Sequence, residues 1–217
     1  FTKYLPGGKL SICYLHFLLW NDEVKLKTKD KLLSTATVLF SKNGFYGTSI
    51  NDVAAEVSVS KQGLLHHFPS KEKLYAAVIA QAAHHLVDLV EEIRTESDNA
   101  QNQLFALFKR MVCADEERLR VIILLMRELL DNRERAEQAQ KWFLRPFLDD
   151  VVAIVTNGQQ HGYFKGQSPL AFVYHLLGAT QYYVVSRPTL DKLYTREERK
   201  LHEQHQMEML KGIIFDA

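Results

Sequence analysis

Apolar residues recur at helical spacing along almost the whole chain, and no stretch shows the strict apolar and polar alternation of a half-buried strand. The first clear stripe lies within residues 25–43, and Gly44, just after it, can take the left-handed conformation that ends a helix. The apolar face of this helix consists of Leu32, Ala36, Leu39 and Phe40. Later stripes predict helices at 70–96, 100–113, 115–131, 134–161, 168–186 and 195–214. The predicted fold class is all-α, with Pro146 kinking or dividing the 134–161 segment.

Two short helices are predicted between the first helix and the long one at 70–96. Thr48 or Ser49 can cap the first of them, since Asp52 stands three residues after Ser49 as in a capping box. Its apolar stripe is formed by Ile50, Val53, Ala54 and Val57. Ser60 can cap the second, which must end before Pro69 because proline disfavours helical backbone at the preceding residue.

These two short helices have the layout of a DNA-reading helix-turn-helix, in which the second helix enters the major groove. Lys61 and Gln62 lie in its first turn, where side chains and free backbone amides can reach base edges and phosphates. Gly63 leaves room for close approach of the backbone. The alternative interpretation is a solvated helix face, because helix-turn-helix shapes also occur in proteins that bind no DNA.

The charged residues are distributed unevenly, although the whole chain carries a net charge of only +1. Residues 24–75 contain eight lysines against four carboxylates, a net +4, whereas residues 76–217 carry a net −3. The basic end of the chain is therefore the candidate surface for a polyanion such as DNA.

The sequence of this basic end resembles the DNA-binding domain of the TetR family of bacterial transcription regulators. The resemblance covers about residues 27–79 and rests on GFYGTSINDVA at 44–54, VSK at 59–61 and HHFPSKEKL at 66–74. It implies a three-helix DNA-binding domain over residues 24–69 and a larger helical domain over 70–217 that binds an effector and dimerises. It also implies a homodimer that represses transcription from a palindromic operator until a small, mostly apolar molecule releases it.

Carried over residue by residue, the resemblance implies two kinds of DNA contact. Those to phosphates are assigned to Thr48, Lys61, His66 and Lys71, and those at or near bases to Gln62, Gly63 and His67. The capping residues Ser49 and Ser60 complete the candidate surface. Two positions depart from the family pattern, because Ser58 stands where glycine is usual and Leu65 where tyrosine is usual. Leu65 can contact a thymine methyl group but cannot make the tyrosine's phosphate hydrogen bond.

The helix predicted at 168–186 is apolar on nearly all faces, so it must be buried on both sides. A subunit core can cover one side and a partner subunit the other. Gly158, Gly162 and Phe164 precede this helix and, with it, resemble the turn and helix pair through which the family dimerises. The candidate interface residues are Phe172, Leu176, Ala179 and Tyr183.

The aromatic and sulfur-bearing residues of the larger domain are expected first of all to form its core. The resemblance implies that this core surrounds an effector cavity, whereas a fully packed core would leave no room for one. The candidate cavity residues are His85, Phe105, Phe108, Met126, Trp142, Gln181 and Tyr182.

No phosphate-binding loop, GxSxG, HExxH or dinucleotide-binding glycine pattern is present, so the sequence predicts neither an enzyme nor a cofactor. Cys13 and Cys113 are too few for a disulfide framework and lack metal-ligand spacing, which favours a reducing, cytoplasmic compartment. Residues 10–20 are too short to span a membrane, and residues 1–23 are expected to be a tag, leader or extension of unknown function. The alternative to a DNA-binding regulator is a helical effector-binding or scaffolding protein without specific DNA binding.

Overall fold

A computed structural model describes residues 28–131 and 143–216, and the regular structure in those two ranges is entirely α-helical. The helices are α1 (Thr28–Asn43), α2 (Ile50–Glu56), α3 (Lys61–His67), α4 (Lys71–Glu96), α5 (Ala100–Val112), α6 (Glu116–Asp131), α7 (Arg145–Gln160), α8 (Pro169–Leu193) and α9 (Arg196–Phe215). The prediction of an all-α fold is confirmed. The expected extension at 1–23 and the candidate cavity residue Trp142 lie outside the described residues.

Helices α1, α2 and α3 form a small N-terminal unit together with the start of α4. Helix α1 packs against α2 and α4, and α2 packs against α3. The side chains between these helices are at most 4% exposed, and they are Leu32, Ala36, Phe40, Val53, Ala54, Leu64, Phe68 and Leu74. Most of the stripe residues predicted for α1 and α2 therefore belong to one core.

Helix α4 connects this unit to the larger helical body. Its 26 residues give it a length of about 39 Å. Leu74 near its start and Ile93 near its end are both buried, and it packs against α1 as well as α5, α6 and α7. Helix α8 packs against α5, α6 and α7, while α9 packs against α5 and α8. Over the described residues, none of these helices is long and apolar enough to cross a membrane.

Pro146 lies in the first turn of α7, which begins at Arg145 after a turn at 143–144. Proline is favourable there because the first backbone amides of a helix have no intrahelical acceptor. Pro146 therefore lies at the start of a helix rather than within one, and the part of the predicted 134–161 segment before residue 143 lies outside the described residues.

Helix α8 extends to Leu193, well beyond the predicted end at 186, and contains Pro188. Pro188 lacks the amide that would bond to the carbonyl oxygen of Val184, a loss that usually ends or kinks a helix. Val184 is fully buried, however, and Arg187 donates a hydrogen bond to the Val112 carbonyl oxygen on α5 (3.4 Å). Contacts with other helices hold α8 across the proline, and the local sequence pattern does not reveal such contacts.

Candidate nucleic-acid interface and effector cavity

Ser49, rather than Thr48, caps α2. The Asp52 amide donates to Ser49 Oγ (3.1 Å), and the Ser49 amide donates back to Asp52 Oδ2 (2.8 Å). The hydrogen bond from the Ser49 amide, followed by that from its hydroxyl and the charge of Lys71, holds the pKa of the Asp52 carboxyl below its usual value. This reciprocal capping box fixes where α2 begins.

The side chain of Thr48 faces the interior and is only 2% exposed. Its hydroxyl donates to the carbonyl oxygens of Gly44 (3.0 Å) and Leu39 (3.2 Å). The predicted phosphate contact of this side chain is therefore corrected. The hydroxyl satisfies carbonyl groups at the end of α1 and positions the loop, in which Gly44 has the predicted left-handed conformation (φ 75°).

The turn between α2 and α3 is held by two backbone hydrogen bonds that close the end of α2. The Val59 amide donates to the Ala54 carbonyl oxygen (2.9 Å), and the Ser58 amide donates to that of Ala55 (3.0 Å). Ser58 has φ 59°, in the left-handed region that glycine adopts most readily. This geometry favours glycine at the position of Ser58.

Helix α3 is short, capped at its start and anchored by one apolar residue. Ser60 Oγ accepts a hydrogen bond from the Gly63 amide (3.0 Å). Leu64 is fully buried, and Leu65 is half-buried. The exposed side chains of α3 are Lys61, Gln62, His66 and His67. One side of α3 is thus fixed in the core, while one lysine and three other polar side chains cover the rest, as in a recognition helix.

Lys71, at the start of α4, is held beside the start of α2. Its Nζ lies 4.3 Å from the centroid of the Phe45 ring, and its charge acts on the nearby Asp52 carboxyl. Ser70 caps α4 by accepting a hydrogen bond from the Lys73 amide (3.3 Å). Lys71 is therefore partly ordered by its contacts with Phe45 and Asp52.

Three of the four candidate interface residues on α8 face the core of their own subunit. Phe172, Leu176 and Tyr183 are 7%, 1% and 9% exposed, so this part of the prediction is corrected. The Tyr183 ring contacts that of His202 on α9 (5.6 Å between centroids), and burial raises the pKa of Tyr183. Only Ala179 of the four is exposed.

The outward side of α8 carries a different apolar set. Leu170, Tyr174 and Tyr182 are 49%, 52% and 75% exposed, and Gly178 lies between them on the same side. We call these four residues the α8 face. Large apolar side chains repeated along one exposed helix side are characteristic of an interaction surface.

A cavity of about 150 Å³ lies where α4, α5, α6, α7 and α8 meet. The residues that line it are Leu86, Met111, Ile122, Leu125, Leu129, Leu144, Phe147, Leu148, Tyr174, Leu177, Gly178 and Gln181. We call it the apolar cavity. Its walls come from residues far apart in sequence, so no local pattern identifies them.

The six candidate cavity residues that the structure describes are not brought together. Gln181 lines the apolar cavity, but Tyr182 is exposed on the α8 face. Phe108 is fully buried, Phe105 packs against Phe215 and Met126 is half-buried beside the core. His85 is exposed and lines a separate groove with Asp115 and Arg118.

A larger and more open cleft of about 640 Å³ lies between the end of α8 and the start of α9. Asp191 and Arg199 form an ion pair in it, and Thr195 caps α9, with Glu198 completing the capping box. Because its lining is mostly charged, this cleft does not suit an apolar molecule. Within the described residues, no group of three or more histidine, cysteine or acidic side chains could hold a metal ion.

Comparison with known protein sequences finds similarity to one family over the N-terminal unit. The sequence model of the bacterial regulatory proteins of the tetR family matches residues 32–78. The biofilm operon icaADBC negative transcriptional regulator IcaR of Staphylococcus epidermidis is 29% identical over 99 residues, 45% of this chain and 52% of that protein. IcaR of Staphylococcus aureus is 29% identical over 90 residues, 42% of this chain and 48% of that protein. The chain therefore matches these curated relatives over about half of their length.

Solved structures extend the likeness to the whole fold. The fatty acid degradation regulator FadR from Bacillus halodurans has a TM-score of 0.69 at 14% identity, covering 88% of this chain and 96% of that one. AibR, solved in complex with isovaleryl coenzyme A and operator DNA, has a TM-score of 0.65 at 20% identity, covering 87% of this chain and 98% of that one. At these identities the likeness shows a shared fold.

Proposed function

The chain belongs to the tetR family of bacterial regulatory proteins, and we propose that it is a transcriptional repressor that binds a palindromic operator as a homodimer. The observation that carries this proposal is α3, which begins at a serine cap, is anchored through Leu64 and presents Lys61 and Gln62 outward. We assign DNA reading to residues 24–69, and regulation and dimerisation to residues 70–217.

In the proposed complex, α3 lies in the major groove. Gln62 has the amide pair that can bond an adenine edge, and Lys61 can reach either guanine or phosphate. Lys71 and the exposed His66 contact phosphates beside the groove, and His67 lies close to the bases. Half-buried Leu65 offers an apolar contact rather than the hydrogen bond of the usual tyrosine.

Dimerisation is supported by the α8 face. A second copy that packs its own α8 face against the first would remove Leu170, Tyr174 and Tyr182 from water in both subunits. Two-fold symmetry would then present two α3 helices to successive major grooves of an inverted repeat.

Relief of repression is supported by the position of the apolar cavity. Its walls include Leu86 of α4 and Ile122 of α6, and both of these helices pack against α1 of the N-terminal unit. Arg127 of α6 also donates a hydrogen bond to the Lys42 carbonyl oxygen at the end of α1 (3.2 Å). An effector that displaces α4 or α6 would change the spacing of the two α3 helices. AibR, which has this fold, was solved with both an acyl coenzyme A and operator DNA.

The test is a binding titration with the duplex upstream of the chain's own gene and with a scrambled duplex of the same length, at several salt concentrations. We expect affinity for both to fall steeply with salt, because phosphate contacts release counterions, while selectivity for the upstream duplex persists. Equal affinity for both duplexes at every salt concentration would instead support the helical scaffolding alternative.

A further inference from the structure

The walls of the apolar cavity carry almost no polar groups and no ionised ones among the described residues. Besides backbone, the polar atoms on its lining belong to the Gln181 amide and the Tyr174 hydroxyl. The Gln181 side chain is half-buried and forms no hydrogen bond with another described residue, so its amide is available to a bound molecule. Tyr174 is 52% exposed and lies at the edge of the cavity rather than in its depth.

The volume of the cavity limits the size of its occupant. An engineered protein cavity of about 150 Å³ with aliphatic and aromatic walls holds one benzene molecule. The apolar cavity has about the same volume and is lined chiefly by leucine, isoleucine, methionine and phenylalanine side chains. It can therefore enclose one aromatic ring or a short branched chain, but not the whole of a long acyl chain.

The absence of a lysine, arginine or histidine from the described lining limits the charge of the occupant. An ion that enters an apolar site loses the favourable free energy of its hydration. Without a counter-charge in the site, no other interaction compensates for that loss. A neutral polar group needs only one hydrogen-bond partner, which the Gln181 amide can supply as donor or acceptor.

We propose that the effector is a neutral molecule about the size of one aromatic ring, held by apolar contacts and one hydrogen bond to Gln181, and that carboxylates and ammonium ions are excluded. This inference rests on the proposed function, in which the apolar cavity is the effector site. It distinguishes the chain from AibR, whose partner in the solved complex is an acyl coenzyme A. Such an occupant would contact Ile122 and Leu125 of α6, the helix that carries Arg127.

The experiment uses four probes of nearly equal size, namely benzyl alcohol, toluene, benzoate and benzylamine, with the full chain at pH 7. Binding is measured by ligand-observed NMR, with dissociation constants from concentration series. We expect benzyl alcohol to bind most tightly, and benzoate and benzylamine to bind at least about tenfold more weakly because they lose hydration without gaining a counter-charge. Toluene should bind about fivefold more weakly than benzyl alcohol, since it lacks the hydrogen bond.

The variant Gln181→Leu tests the assigned hydrogen bond, and Gln204→Leu, at an exposed position of α9, is its matched control. Gln181→Leu should remove the preference for benzyl alcohol over toluene while toluene still binds, and Gln204→Leu should preserve it. Benzoate or benzylamine binding as tightly as benzyl alcohol, or no binding by any of the four probes, would overturn the proposal.

The same probes are then added to the complex with the upstream duplex, so that the two proposals can fail separately. Probe binding without any specific DNA binding would refute the proposed function and leave the assignment of the cavity intact. If the chain binds the upstream duplex specifically, and benzoate releases the duplex while benzyl alcohol does not bind, the assignment of the cavity is refuted. The proposed function would then remain intact.

Discussion

Ser58 is the residue at which the helix-turn-helix departs most clearly from low-energy backbone geometry. Its φ of 59° lies in the left-handed region, where a side chain with a Cβ atom crowds the following carbonyl group. Its side chain is exposed, so the serine hydroxyl adds little to the core. The turn is held instead by its backbone hydrogen bonds to α2.

We therefore predict that Ser58→Gly raises the free energy of unfolding by roughly 0.5–1 kcal/mol. Glycine relieves the backbone strain of the folded state, and this gain exceeds the cost of the larger conformational entropy that glycine gives the unfolded chain. The matched control is Ser34→Gly, at an exposed position within α1, which should lower that free energy by roughly 0.5 kcal/mol. Both are measured by denaturant unfolding. A loss of stability on Ser58→Gly as large as that of the control would show that the turn is not strained.

Lys71 and Gln62 should affect DNA binding in different ways. Lys71→Ala removes a phosphate contact, so it should weaken binding to all duplexes alike and reduce the salt slope by about 1. Gln62→Ala should instead change preference at one base pair, by about 1–3 kcal/mol for a bidentate contact.

Lys192→Ala is the control for Lys71→Ala, because it makes the same change of charge at an exposed position near the end of α8. Its affinity and salt slope should match those of the unmodified chain. Anisotropy titrations with operator, single-base variants and random duplex distinguish the two effects. If Gln62→Ala weakened every duplex equally, the assignment of Gln62 to base reading would be wrong.

Residue-scale features were predictable from sequence where they depend on near neighbours. The caps at Ser60 and Ser70 and the left-handed Gly44 follow from residues within three or four positions. The orientation of the Thr48 side chain was not predictable in this way, because its hydrogen bond to Leu39 spans nine residues and depends on how the loop folds over α1.

At the scale of elements, α7 and the turn after it depend on one close contact. A Cβ atom on Gly158 would lie 2.6 Å from Phe164 Cε2 and 3.0 Å from the Ala100 Cβ atom. The Phe164 ring is fully buried, and its residue has φ 52°. The backbone of α7 must therefore approach the Phe164 ring more closely than any other residue type would allow.

We predict that Gly158→Ala destabilises the protein despite the higher helix propensity of alanine, because the buried ring must move. Gly212→Ala is the matched control, since a Cβ atom there would lie at an ordinary contact distance of 3.6 Å from Asp216 Oδ2 and should stabilise α9 by up to about 1 kcal/mol. Thermal unfolding of both variants measures the difference. Equal stabilisation by the two substitutions would contradict the close contact.

Helix positions were predictable from apolar periodicity, but the role of each side of α8 was not. The helix is apolar almost all round, so periodicity could not tell which side faces its own subunit. Phe172 and Leu176 were assigned to the interface, although they belong to the core, and the exposed set includes Tyr174 and Tyr182. Only the packing of α8 against α5, α6 and α7 separates the two sides.

At the scale of the whole molecule, we predict that Tyr182→Glu converts a dimer into a monomer. A carboxylate within an apolar interface would lose hydration in both subunits without a counter-charge. Tyr182 does not line the apolar cavity, so the variant replaces none of the residues on the cavity's lining. Tyr46 is 82% exposed and lies in the N-terminal unit, away from the α8 face. Tyr46→Glu therefore makes the same substitution elsewhere and is the matched control for the measured mass. Light scattering should give a mass near 25 kDa only for Tyr182→Glu; a dimer mass for that variant would rule out the α8 face.

The central claim is that two copies of the chain read a symmetric DNA sequence. It is tested most directly by selecting duplexes from a random pool with the purified full chain and sequencing those retained. We predict enrichment of an inverted repeat whose half-sites lie about one helical turn or more apart, because each half-site receives one α3 of a two-fold dimer. A pool that stays unenriched, or that yields a single half-site without symmetry, would contradict the account.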